Sequence, residues 1–265
     1  MTFKAYAKVN IFLKITGVRG PYHELRSRFV RVDSLFDSLT FSRKKSPAPG
    51  FELISSVPLP RINTLTRAYE LLKEAAPGIE KFFETHKVIL EKRIPQGAGL
   101  GGGSSDAAAF LNACNELYGL HLSKENLARI GEKIGADVPF FVHGYASANV
   151  EGVGERIEPF EEDVPKLQLL TPPLHCDTGL VYRAFREHFI QEADREAAAS
   201  WKDMKSDELL KTLDPVEAND LYKAALTVYP RLHRFATPNR FFSGSGSTFF
   251  HLPEQPSSRR VQSGQ

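Results

Sequence analysis

The chain has 265 residues, which is enough for one large domain or two small ones with a substantial core. Its 42% hydrophobic and 25% charged residues are ordinary for a soluble globular protein, and a net charge of +2 argues against an extended nucleic-acid or membrane surface. The two cysteines, Cys114 and Cys176, suit neither a zinc site nor a disulfide framework. Since we find no signal peptide and no bilayer-spanning run, we expect a cytoplasmic protein without nucleic-acid or membrane partners.

The first residues alternate between apolar and polar side chains from residue 3 to residue 16. This pattern is typical of a half-buried antiparallel strand, and it places Lys8 and Asn10 on the same face. Further along, the sequence predicts a turn at 17–21 and strand-like runs at 28–33 and 38–42.

Helical and strand patterns then follow in the middle of the chain. The sequence predicts a helix over 63–75 with Asn63 or Thr64 as its cap, and a second helix from the cap Ser123 to Gly135. A β-branched run at 87–94 precedes a helix-like run at 107–118.

The last third of the chain contains less regular patterns. We expect a strand at 167–171, a long charged helical stretch near 180–212, a hairpin over 241–250 and a flexible tail at 253–265. Strands that precede helices without regular alternation favour an α+β fold over a doubly wound one.

The glycine-rich stretch from Pro95 to Asp106 is the most informative part of the sequence. It lies between a predicted strand and a predicted helix, where backbone N–H groups and the helix dipole favour a phosphate. It is not a Walker loop, because no Gly-Lys-Ser/Thr follows, and it lacks the Rossmann spacing. The alternative is a tight strand-to-helix connection without a ligand.

Phosphoryl transfer also needs a cation and a group that orients or deprotonates the attacking hydroxyl. Lys8 on its strand and Asp137 before a proline are candidates, and Ser104 and Ser105 are candidate hydroxyl donors to phosphate or Mg²⁺. Each has a simpler alternative, because a strand lysine is usually solvated and an aspartate at this position is usually a helix N-cap. The turn at 244–247 could equally be an ordinary hairpin loop.

The stretch from Pro95 to Ala108 resembles the central phosphate-binding motif of the GHMP kinase superfamily, which includes galactokinase, homoserine kinase and mevalonate kinase. Within that superfamily, other stretches resemble the family of 4-diphosphocytidyl-2-C-methyl-D-erythritol kinases and occur in that family's order. These stretches are 5–17, 22–25, 63–69, 135–141, 151–155 and 243–247.

The resemblance implies a two-domain GHMP kinase fold with the active site in the interdomain cleft. The implied parts are an ATP-binding domain at 1–157, a second and possibly trimmed domain at 158–252, and the tail. The implied activity is ATP-dependent phosphorylation of the 2-hydroxyl of 4-(cytidine 5′-diphospho)-2-C-methyl-D-erythritol in a non-mevalonate isoprenoid precursor pathway.

The resemblance also implies roles for individual residues. Asp137 would be the general base, and Lys8 would orient it and stabilise charge. The substrate would contact Asn10, Tyr22, His23 and Tyr182, with the cytosine held by the three aromatic side chains. ATP would contact Asn63, Pro95, Gly97, Gly99, Leu100, Gly101, Gly102, Gly103, Ser104, Ser105, Gly244 and Gly246. Magnesium would arrive with ATP, with Ser105 as a candidate ligand.

Two departures from the family pattern stand out. Pro21 replaces the usual glycine before Tyr22, and the chain ends soon after Phe250, where many relatives continue. Two alternatives stay open, namely another GHMP kinase of the homoserine or mevalonate type and a non-catalytic nucleotide-binding module. The sequence carries no signal of an oligomeric state.

Overall fold

The structure is a computed structural model that describes residues 1–194, 196 and 198–253. In this part of the chain the strands form one six-stranded and one three-stranded sheet. The strands are β1 Thr2–Arg19, β2 Tyr22–Arg43, β3 Leu53–Ser55, β4 His86–Glu91, β5 Ser147–Gly152, β6 Arg156–Pro159, β7 Gln168–Leu170, β8 Phe241–Phe242 and β9 Phe249–His251. The helices are α1 Thr64–Ala75, α2 Ile79–Thr85, α3 Gly102–Tyr118, α4 Lys124–Glu132, α5 Val138–His143, α6 Thr178–His188, α7 Ser206–Thr212, α8 Pro215–Ala218 and α9 Leu221–Val228.

The large sheet is built around β2. This strand pairs antiparallel with β1 along one edge, and β4 and β5 pair with different halves of its other edge. The order is β3-β4-β2-β5-β6, with β1 against β2. The two strands predicted at 28–33 and 38–42 are therefore one continuous strand, because β1 pairs with it on both sides of residues 33–35.

Strand β1 is buried on both faces in its middle, which corrects the prediction of a half-buried strand. Asn10 is 2% exposed and Phe12 is fully buried. The pairing with β2 shifts between Asn10 and Phe12, and Phe12 packs into an apolar cluster with Leu209 and Phe250. The second face is thus covered by the C-terminal part of the chain, which no local pattern in β1 could indicate.

Helix α3 packs against β1 and β2 of the large sheet, and α1, α4 and α5 pack against α3. The core between these helices and the sheet contains Leu72 and Phe110, together with Leu39 of β2 and Phe83 of α2. The helix begins at Gly102, five residues before the predicted start, so the glycine-rich stretch supplies its first turn. Ser123 caps α4 as predicted.

The C-terminal part contains the predicted hairpin, in which Phe241 pairs with Phe250 and Phe242 with Phe249. The expectation of one helical stretch near 180–212 is wrong, since α6 ends at His188 and α7 begins at Ser206. The interruption has a physical reason. The carbonyls of Lys202 and Met204 accept hydrogen bonds from the buried guanidinium of Arg28, and Trp201 packs on Phe12.

The division into two domains stays a prediction, and its boundary after residue 157 lies within β6. Apart from Pro253, the predicted flexible tail lies outside the described residues. None of the described helices is both long and apolar enough to cross a bilayer.

Candidate active site

Strand β1 presents Lys8 and Asn10 on one face, as the alternation predicts. The Lys8 ammonium donates a hydrogen bond to Asn10 Oδ1 at 2.7 Å and lies 4.4 Å from the centre of the Phe29 ring. Asn10 Nδ2 in turn donates to Ser27 Oγ at 2.9 Å. Lys8 is only 4% exposed, so its ammonium is held in one direction by a buried network rather than solvated.

That direction is towards Asp137. Asp137 Oδ2 lies 3.3 Å from Lys8 Nζ, and its side chain is 29% exposed while that of Lys8 is 5% exposed. Asp137 occupies the N-cap position of α5, but its side chain forms no capping hydrogen bond. Asp137 therefore stands at the predicted cap position, but its carboxylate does not cap the helix.

The glycine-rich loop turns its carbonyls towards the protein. Gly97 O accepts from Cys176 N, Ala98 O from Thr248 N, Gly99 O from Ser243 Oγ and Leu100 O from Lys8 N, at 2.9–3.1 Å. None of the described residues accepts a hydrogen bond from the N–H groups of residues 99, 100 or 101. These donors are therefore available to an anion.

A first cavity of about 500 Å³ lies between this loop, β1 and the α5 turn. It is lined by most of the residues predicted to bind ATP or to carry the chemistry. These are Lys8, Asn10, Asn63, Pro95, Gly97, Gly99, Leu100, Gly101, Gly102, Gly103, Ser104, Asp137, Tyr182 and Gly244.

Two predicted ATP ligands do not line this cavity. Ser105 is 2% exposed and borders a separate cavity of about 170 Å³ beside Lys4 and Arg31. Successive residues of a helix point about 100° apart, so Ser104 and Ser105 face different sides. Gly246 instead packs on Phe242, since a Cβ built on it would lie 2.2 Å from that ring.

Asn63 lies at the cavity wall but is also the N-cap of α1. Its Oδ1 accepts from the N–H groups of Leu65 and Thr66 at 3.0 and 3.1 Å, and its Nδ2 donates to Pro60 O at 3.0 Å. The cap alone explains an asparagine here. Its contact with adenine stays a prediction.

A second cavity of about 550 Å³ contains the three aromatic residues predicted to hold cytosine. Tyr22 is 65% exposed, whereas His23 is buried with its ring centre 5.1 Å from that of Tyr182. Burial and the neighbouring Arg186 lower the pKa of His23, while burial and Asp137 raise the pKa of Tyr182. Both rings are therefore uncharged near neutral pH.

The two cavities meet at Asp137. Five residues line both of them, namely Leu25, Phe29, Asp137, Thr178 and Tyr182. Among the described residues that line both cavities, only Asp137 carries a carboxylate. A carboxylate thus stands between the glycine-rich loop and a pocket lined with aromatic side chains, next to a buried ammonium.

Sequence reasoning missed a buried charged cluster beneath the loop. Lys92 Nζ contacts Asp37 Oδ2 and Asp106 Oδ2, the latter at 2.8 Å, and both Lys92 and Asp106 border the first cavity. Burial, offset in part by Lys92 and reinforced by Asp37, raises the pKa of Asp106 to about 7. Asp106 is the last residue of the glycine-rich stretch, and this position was the sequence signal that could have indicated the cluster.

It also missed Arg183 and Arg186, which line the second cavity from α6. Their spacing of three residues, directly after Tyr182, was the available signal.

Comparison with known proteins agrees with this geometry. The GHMP kinases N terminal domain matches residues 63–145. The chain is 49% identical, over 96% of its length and 99% of the relative's, to 4-diphosphocytidyl-2-C-methyl-D-erythritol kinase of Sulfurovum sp. (strain NBC37-1). It is 46% identical to the same enzyme of Sulfurimonas denitrificans, over 96% of this chain and 97% of the relative.

Among solved structures, it matches a crystal structure of 4-(cytidine 5′-diphospho)-2C-methyl-D-erythritol kinase with a TM-score of 0.72 and 34% identity. That match covers 97% of this chain and 91% of the other. The predicted α+β fold and the predicted family are thereby confirmed. The chain belongs to the 4-diphosphocytidyl-2-C-methyl-D-erythritol kinase family of GHMP kinases.

Proposed function

We propose that this chain transfers the γ-phosphoryl group of ATP to the 2-hydroxyl of 4-(cytidine 5′-diphospho)-2-C-methyl-D-erythritol. The observation that carries the proposal is the position of Asp137, at the junction of the two cavities and 3.3 Å from the Lys8 ammonium. The names of the closely related kinases support the choice of substrate.

In the proposed step, the 2-hydroxyl oxygen attacks the γ-phosphorus while the bond from that phosphorus to the β–γ bridging oxygen breaks. ADP leaves, and the hydroxyl proton passes to the Asp137 carboxylate. Lys8 orients that carboxylate and stabilises the negative charge that moves between donor and acceptor. Because Asn10 and Phe29 already hold the ammonium, it needs little reorganisation during the step.

The first cavity would hold the nucleotide. The N–H groups of the glycine-rich loop and the start of α3, a helix of 17 residues, suit the phosphates. Gly244 closes the same cavity from the hairpin loop, and a Cβ on it would lie 3.3 Å from Asn10 Oδ1.

Magnesium would be held mainly by ATP. Within the described part of the chain, no group of three or more His, Cys, Asp or Glu residues could hold a metal. A site with few protein ligands suits Mg²⁺, because this ion usually keeps several waters and binds substrate phosphates together with one or two protein oxygens. The Ser104 hydroxyl lines the cavity and would be such an oxygen. When bound, the ion neutralises charge on the β- and γ-phosphate oxygens.

The second cavity would hold the cytidine part of the substrate. A neutral His23, whose Nε2 accepts from Arg186 Nε, can offer its Nδ1–H as a donor to a base, and the rings of Tyr22 and Tyr182 can stack on that base. Asn10 Oδ1, with a second lone pair beside its contact with Lys8, would reach the substrate where the cavities meet. We place the reaction in the cytoplasm, where the two free thiols of Cys114 and Cys176 would stay reduced.

The test is ADP release by the purified protein with ATP and Mg²⁺. We expect release when the cytidyl substrate is added, and little with homoserine or mevalonate. Equal turnover of these acceptors, or none with the cytidyl compound, would contradict the proposal. ATP binding without turnover on the whole panel would instead indicate a nucleotide-binding module.

A further inference from the structure

Helix α6 carries two arginines, Arg183 and Arg186, one turn apart on the wall of the second cavity. Among the described residues, no carboxylate lies within 4 Å of either guanidinium. This sets them apart from the arginines of the large sheet that are paired with carboxylates, namely Arg19, Arg26, Arg28 and Arg31. Two cations without an anionic partner thus border a cavity that is open to a ligand.

Arg186 is held in place by neutral groups. Its Nη2 donates to the carbonyls of Gly20 and Pro21 at 3.5 and 3.4 Å, and its Nε donates to His23 Nε2 at 3.5 Å. These contacts leave the positive charge uncompensated. They also fix the guanidinium beside the turn that carries Tyr22 and His23.

Arg183 is exposed and lines the same cavity, next to Tyr182. The cavity also receives Thr178 and Gly179, the first residues of α6, from the positive end of the helix dipole. Because the Asp177 carboxylate caps α6, the two guanidinium groups are the main source of positive charge in this part of the cavity. This positive charge favours an anion between the aromatic residues and Asp137.

The proposed substrate has an anion in that place. Its diphosphate links the cytidine to the sugar alcohol, so it must lie between the base and the hydroxyl that is phosphorylated. Guanidinium groups suit phosphate oxygens because they donate parallel hydrogen bonds and remain charged at any relevant pH.

We propose that Arg183 and Arg186 form a subsite for the diphosphate of the cytidyl substrate, which rests on the proposed function of the second cavity. The subsite selects nucleoside diphosphate esters over uncharged cytidine compounds. It also sets the distance between the held base and Asp137.

The experiment is calorimetric binding of cytidine and of CDP to the wild type, R183Q, R186Q and the control R234Q. Arg234 is exposed and lines neither cavity, so its variant removes the same charge elsewhere. We expect the wild type and R234Q to bind CDP at least about tenfold more tightly than cytidine, a difference of ~1.4 kcal/mol. R183Q should lose most of this preference while its affinity for cytidine is unchanged.

Arg186 also touches the turn beside His23, so R186Q can weaken the base pocket itself. The ratio of the CDP and cytidine affinities separates the two effects, and melting curves check that each variant is folded. An unchanged ratio in R183Q and R186Q, with cytidine still bound, would overturn the diphosphate subsite alone. Binding of neither ligand by the wild type would overturn the proposed function together with the subsite.

Discussion

The substitution Asp137→Asn separates chemistry from binding and from stability. Asn keeps the size of the side chain and removes the proton acceptor. Because the Asp137 side chain forms no capping hydrogen bond, the change should not cost the ~1 kcal/mol that follows loss of an N-cap. We therefore expect a folded protein that still binds ATP with an affinity close to that of the wild type.

The rate should fall sharply. Loss of a positioned base typically costs about 10²–10⁴ in kcat, or roughly 3–5 kcal/mol of transition-state stabilisation. Among the described residues at the first cavity, the other carboxylate is Asp106, which is buried and bound to Lys92. No other described carboxylate at this cavity is then free to replace the base, so we expect the upper part of that range. Steady-state ADP release with saturating ATP measures it.

A double-mutant cycle with Lys8→Gln tests how the pair works. If Lys8 acts through the Asp137 carboxylate, the double variant should be no slower than the slower single variant. Additive losses would show that the two residues act independently. A tenfold or smaller loss in Asp137→Asn, with ATP and substrate still bound, would refute the assignment of Asp137 as the base.

Two further predictions concern the loop and the cluster beneath it. Gly99→Ala should destabilise the fold by about 1–3 kcal/mol, because the added Cβ would lie 2.0 Å from Ser243 O and the residue has a φ of +72°. In Gly103→Ala the added Cβ would lie 3.5 Å from Thr64, so this variant should keep the wild-type melting temperature and raise the KM for ATP. Equal melting temperatures of the two variants would contradict this. Since the pKa of Asp106 is about 7 when folded against an ordinary 3.8, the native state binds the extra proton. From pH 4 to pH 7 the wild type should therefore lose stability relative to Asp106→Asn, by up to ~1.4 kcal/mol per pH unit. Denaturant unfolding measures the free energy of unfolding in both cases. A stability difference between the wild type and Asp106→Asn that does not change with pH would contradict the second prediction.

Local periodicity was enough to place Lys8, the proposed catalytic cation. The alternation in β1 puts Lys8 and Asn10 on one face whatever surrounds the strand, and the 2.7 Å hydrogen bond between them confirms it. The same pattern predicted a half-buried strand, which is wrong, because the second face of β1 is covered by the C-terminal part of the chain, including Leu209 and Phe250. Burial by distant segments has no local signal.

The local pattern placed Asp137 before a proline, but it did not decide between a helix cap and the base that the family resemblance implies. A cap and a base share that position, and the choice depends on the distant Lys8, which only the tertiary structure brings to 3.3 Å. For Ser105 the motif predicts a contact with ATP, but the turn of the helix directs its side chain away from the first cavity.

The arginines of α6 had only one sequence signal, which is their spacing of three residues directly after Tyr182. Arg183 and Arg186 lie in a charged stretch that is typical of a solvated helix face, and it is their place on the wall of the second cavity that distinguishes them. The proposed selection of the substrate by charge could therefore not be predicted from the sequence, whereas a candidate phosphate-binding loop could.

The central claim is transfer of a phosphoryl group to one hydroxyl under the control of Asp137. Phosphorus NMR of the product made from ATP and the cytidyl substrate tests it most directly. The account predicts ADP and one new phosphomonoester on the 2-hydroxyl oxygen, formed by the wild type and almost absent with Asp137→Asn. An ester at another hydroxyl, or equal amounts of product from both proteins, would contradict it.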